Sequence, residues 1–79
     1  MPKKVFVEVK ADFTADGEIL PRSFKWEDGH SYDIDRIINI CPGASLKVGG
    51  QGVKYTCRIM GKEVPLFLED NRWFMEGRD

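Results

Sequence analysis

Turn-forming pairs recur along this sequence about every ten residues, and that spacing constrains the fold more than any other feature. Asp16-Gly17 and Asp28-Gly29 each pair a residue that tolerates positive φ with one that adopts it freely. Met60-Gly61-Lys62-Glu63 supplies a third compact turn and Glu69-Asp70-Asn71 a fourth. Between these turns apolar residues recur with period two, whereas a helix would repeat its apolar face every 3.6 residues. No stretch carries an amphipathic helical pattern of useful length, and no segment repeats another. The chain therefore reads as antiparallel and all-β.

Val5, Val7, Val9, Ala11 and Phe13 alternate with Glu8, Lys10 and Asp12, which predicts a first strand over 4–14. A second, from about Glu18 to Trp26, sets Leu20, Phe24 and Trp26 on one face with Arg22 among them. Pro21 has no N–H for a ladder, so it marks an edge or a bulge. Ser31 to Ile40 predicts a third strand whose alternation breaks at Arg36-Ile37-Ile38. A bulge there shifts the inward face by one residue, and a short helical turn fits Ile34, Ile37 and Ile38 equally well. Cys41 to Ser45 and the glycine-rich Gly49-Gly50-Gln51-Gly52 read as a long irregular connection. Val53, Tyr55, Cys57 and Ile59 alternate with Lys54, Thr56 and Arg58 in a fourth strand. Val64, Leu66 and Leu68 form a fifth, and Trp73 and Met75 belong to a sixth.

A sheet of this size must curl to bury its apolar face within 79 residues. The expected architecture is one domain over 1–79, a meander curled into a partly open SH3-like or OB-like barrel of five or six strands. Its expected core is Val5, Val7, Val9, Phe13, Leu20, Phe24, Trp26, Ile34, Ile38, Val53, Tyr55, Cys57, Ile59, Val64, Leu66, Leu68 and Trp73.

Twelve Lys+Arg against thirteen Asp+Glu give a net charge of -1, so the molecule as a whole does not attract nucleic acid or anionic lipid. The opening residues alternate instead of forming a secretion signal, and no apolar run reaches the ~18 residues of a membrane helix. The expected location is the cytoplasm, with Cys41 and Cys57 reduced and no membrane contact.

Several stretches carry a resemblance over nearly the whole chain. They are Ser23-Phe24-Lys25-Trp26-Glu27-Asp28-Gly29, Tyr32-Asp33-Ile34-Asp35-Arg36, Ala44-Ser45-Leu46-Lys47, Gly49-Gly50-Gln51-Gly52, Tyr55-Thr56-Cys57-Arg58 and Asn71-Arg72-Trp73-Phe74. In these the chain resembles a set of short uncharacterised all-β proteins of Gram-positive bacteria with no established activity. The resemblance implies a small stand-alone β-domain and carries over no catalytic or binding residue.

The residues offer little chemistry. His30 is the one candidate base, set in a turn beside Ser31 and Asp33 on an exposed corner. Cys41, Cys57 and His30 are three zinc ligands where four are needed, without paired cysteine spacing. Glu27, Asp28, Asp33 and Asp35 lack calcium-loop spacing, and the glycine run joins no helix that would favour phosphate. No catalytic residue, metal or cofactor is therefore assigned.

Two surfaces remain. Lys47, Lys54 and Arg58, with Thr56 and Lys25, would form a basic face for single-stranded nucleic acid if Tyr55, Phe67 or Phe74 stood beside them to stack bases. Phe6, Phe67 and Phe74 fall out of phase with the inward sets of their strands, so they would be partly exposed and available to a partner. They would otherwise cover another part of the barrel or pack beneath the long loop. The leading expectation is a non-enzymatic binding or adaptor domain for a protein or a second copy, using this surface or an open strand edge. A nucleic-acid-binding barrel is the alternative.

Overall fold

The computed structural model of the chain describes residues 2–43 and 52–78. Lys47 and the Gly49-Gly50-Gln51 run lie outside those residues. Seven strands follow in order: β1 (Pro2–Phe13), β2 (Ile19–Lys25), β3 (Ser31–Asp33), β4 (Arg36–Pro42), β5 (Val53–Ile59), β6 (Lys62–Glu69) and β7 (Arg72–Arg78). All pairings are antiparallel, and the strands form one sheet in the order β3-β2-β1-β7-β6-β5-β4.

The sheet curls because two segments change neighbours midway. β1 pairs with β7 from Pro2 to Val7 and with β2 from Glu8 to Phe13. That hand-over makes β1 a corner at which strands of one half turn across those of the other. The second corner corrects the expected third strand, because Ser31 to Ile40 is two strands on opposite margins. β3 pairs with β2, and β4 pairs with β5. Ile34 and Asp35 cross between them. The Ile34 N–H donates to the Arg22 carbonyl and the Asp35 N–H to the Arg58 carbonyl, each at 2.8 Å. One extended run thus joins both margins of the sheet into a half-barrel.

Two bulges set which side chains face inward. In β4 the register slips between Ile37 and Asn39, so Ile38 is the extra residue and the helical-turn alternative falls. Ile37 packs on the core, while Ile38, expected inside, is 38% exposed. In β2 Pro21 lies opposite Ala11 and Ser23 opposite Lys10, which leaves Arg22 as the extra residue. The slip buries Pro21 and sends Arg22 out to pair with Asp12, breaking the face expected to join Leu20 to Phe24. Phe13, also expected inside, ends β1 largely exposed.

The core is built on Phe24, Tyr55, Cys57, Ile59, Leu66 and Met75, against which Val7, Val9, Ile34, Val53, Leu68 and Trp73 pack. The Tyr55 hydroxyl donates to the Ile19 carbonyl at 2.7 Å and so ties β5 to β2. The opposite face of β1, β7 and β6 buries a second, smaller cluster. Phe67 and Phe74 stack at 5.0 Å, and Phe6 meets Phe74 edge-on at 6.0 Å. The Lys4 ammonium lies 4.8 Å over the Phe74 ring and the Arg72 guanidinium 3.8 Å over Phe6. Phe67 and Phe74 are therefore buried, contrary to expectation, and only Phe6 is substantially exposed. Their phase is as read from the sequence, but register puts three aromatics side by side, where they shield one another.

The chain re-enters the sheet at Gly52, whose carbonyl accepts from the Gly43 N–H at 2.9 Å. Gly52 has φ 126, and a Cβ there would run into the Leu68 carbonyl. Gly17 has φ 86 but open space around it. Gly52→Ala is expected to cost about 1–3 kcal/mol in urea unfolding, and Gly17→Ala less, since it meets only the backbone penalty.

Candidate binding surfaces

Two concave regions flank the crossing at Ile34-Asp35. On one side is a groove of about 470 Å³ walled by Leu20, Pro21 and Arg22 of β2 and by Arg36 to Ile40 of β4, with Ile34 and Asp35 between. Its walls are strand margins short of a neighbour. β3 covers β2 only at Ser23–Lys25, so Ile19 to Pro21 pair with β1 alone, and β4 pairs with β5 alone. Ile38 and Ile40 are 38% and 43% exposed on this margin.

On the other side is a cleft of about 330 Å³ between Phe24, Trp26 and Tyr32 and the β5–β6 hairpin, with Met75 behind. Phe24 and Tyr32 stack at 5.4 Å. The hairpin contributes Ile59, Met60, Lys62 and Val64. Ile59 pairs directly with Lys62, so Met60 and Gly61 form a two-residue turn with φ 51 and 78.

Of the residues expected to bind nucleic acid, Lys54 and Arg58 are described and Lys47 lies outside the described residues. Lys54 and Arg58 share the outer face of β5, but Lys54 is half-buried between Cys41 and Phe67. Arg58 turns to Glu63, with Nη2 4.0 Å from Oε2, and donates from Nη1 to the Gly61 carbonyl at 3.4 Å. Lys25 is on β2, at the far side of the strand order. Tyr55, Phe67 and Phe74 are buried and offer no stacking surface. Phe6 is outward, but Arg72 occupies its face.

Comparison with protein-family models, with curated proteins and with solved structures returns no match. The molecule's own geometry therefore carries the functional reading.

His30 is exposed, and its Nδ1 lies 3.0 Å from Asp28 Oδ2, while its N–H donates to Asp28 Oδ1 at 2.9 Å. These hydrogen bonds hold the Asp28 carboxyl below its usual range and fix the Trp26 to His30 turn. Among the described residues no three His, Cys, Asp or Glu side chains converge as metal ligands, and no helix is long and apolar enough to cross a membrane.

The two cysteines are free thiols set on opposite faces. Cys57 points into the core opposite Ile37, whereas Cys41 lies opposite Lys54 on the outer face. Burial pushes the Cys57 thiol up to about 11 and raises Tyr55, aided there by the negative charge of Glu18. Only about one Cys57 in a thousand is thiolate at pH 8, so iodoacetamide should label Cys41 in the folded protein and Cys57 only after unfolding. The folded chain also holds the Cys57 proton more tightly than the unfolded chain does. Its stabilisation is full below pH 9.0 and lost as pH rises towards about 11. Urea midpoints should fall across that window, less steeply in Cys57→Ala.

Proposed function

We propose that this chain is a non-enzymatic cytoplasmic binding module of the SH3-like kind, which takes an extended protein segment as an added strand in the groove between β2 and β4. The observation that carries this reading is that two strand margins, each short of a neighbour, wall one groove. Unpaired edges expose backbone donors and acceptors, and proteins normally blunt them or use them. This edge carries Arg36 and ends at Pro42, yet it exposes Ile38 and Ile40 between them. A segment bonded to β4 would cover both isoleucines and satisfy the free backbone groups.

The nucleic-acid alternative draws less support, because the aromatics it needs are buried and Arg58 is engaged by Glu63.

A fluorescein-labelled peptide selected from a displayed library of extended decapeptides provides the probe. Ile38→Lys with Ile40→Lys should weaken its binding at least tenfold, about 1.4 kcal/mol, without lowering the urea midpoint. Lys54→Ala with Arg58→Ala should leave peptide binding unchanged. Salt-sensitive binding of mixed-sequence single-stranded DNA that is lost in the second variant would favour the alternative. Light scattering on the same sample reads whether the added strand comes from a second copy.

A further inference from the structure

We propose that the cleft between β2–β3 and the β5–β6 hairpin binds a small amphiphilic anion, its apolar body among Phe24, Trp26, Met60 and Met75 and its charged head at Lys62. This site shares no residue with the β2–β4 groove, so it stands or falls independently of the strand-addition reading.

The hairpin turn is the first observation. The β6–β7 turn has the same geometry, with φ 52 and 64, and fills it with Asp70 and Asn71, residues that tolerate the left-handed region. The β5–β6 turn instead places Met60 there, with φ 51 and 75% exposure. Methionine gains nothing from that conformation, and its side chain forms part of the cleft wall. A bulky apolar residue held in a costly backbone state at the rim of an apolar cleft marks a surface kept for contact.

The charge is the second observation. Lys62 lies on the same face of β6 as Val64 and Leu66, so it extends the inward set of that strand to the mouth of the barrel. It lines the cleft, and no carboxylate among the described residues pairs with it. An apolar concavity with a single unpaired ammonium at its rim complements a molecule with one anionic end. The volume of about 330 Å³ is at the lower limit of small-molecule sites, which run from about 300 to 1,000 Å³, and this selects a small ligand.

Octanoate and 1-octanol, matched in chain and differing in charge, are the probes, with Trp26 fluorescence as the readout in a Trp73→Phe background. The expected result is saturable binding of both, with octanoate at least fivefold tighter at low salt. Lys62→Met, which keeps an apolar stem, should bring that ratio to about one, and Met60→Asn should weaken both ligands while preserving the ratio. Absence of saturable binding to the folded parent would overturn the proposal, as would a ratio that Lys62→Met leaves unchanged. Urea midpoints of each variant separate loss of the site from loss of the fold.

Discussion

Two consecutive amides hold the architecture together. Ile34 bonds to the carbonyl of Arg22 near one margin of the sheet and Asp35 to the carbonyl of Arg58 near the other. These bonds close the curled sheet, and the Tyr55 hydroxyl on the Ile19 carbonyl adds a second tie between β5 and β2. With them, Phe24 and Tyr32 are brought over Ile59, Val64 and Met75, and the main core acquires its second wall. The same crossing leaves the margins of β4 and the first half of β2 without a common partner. Closure at one point and openness beside it are one geometric fact, and the groove and the cleft both follow from it.

Much of this was legible in the sequence, and the failures have physical causes. Period-two alternation located the strands, and the turn residues located the hairpins, because both depend on local backbone geometry. Tyr32, Ile34 and Ile37 concealed the crossing. A chain passing between margins remains extended and keeps its alternation, so nothing local marks the change of neighbour. Arg22 and Ile38 were misplaced for the opposite reason. Each is the extra residue of a bulge, and one unpaired residue reverses the inward face of what precedes it, as Pro21 shows.

The aromatics teach a related lesson. Phe6, Phe67 and Phe74 were correctly placed off the main core, but exposure depends on what lies across the neighbouring strands, which a single strand's pattern does not contain. Register brings the three rings together under Lys4 and Arg72, and the centre of the sheet is buried on both faces. That second cluster packs β1, β7 and β6 together on the face away from the main core. The basic residues of β5 were read as a row, yet Arg58 is drawn to Glu63 by a hairpin partner that the row itself could not show. Met60 carried the most overlooked signal: a methionine before glycine in a two-residue turn, where asparagine or aspartate would be at ease.

Amide hydrogen exchange followed by NMR tests the central claim most directly, because crossing and open edge make opposite demands on adjacent residues. The account predicts that the Ile34 and Asp35 amides are protected to nearly the level of β5, while the β4 amides not paired to β5 exchange at rates close to those of exposed backbone. Fast exchange at Ile34 and Asp35, or uniform protection along β4, would contradict a half-barrel joined at one crossing and open beside it.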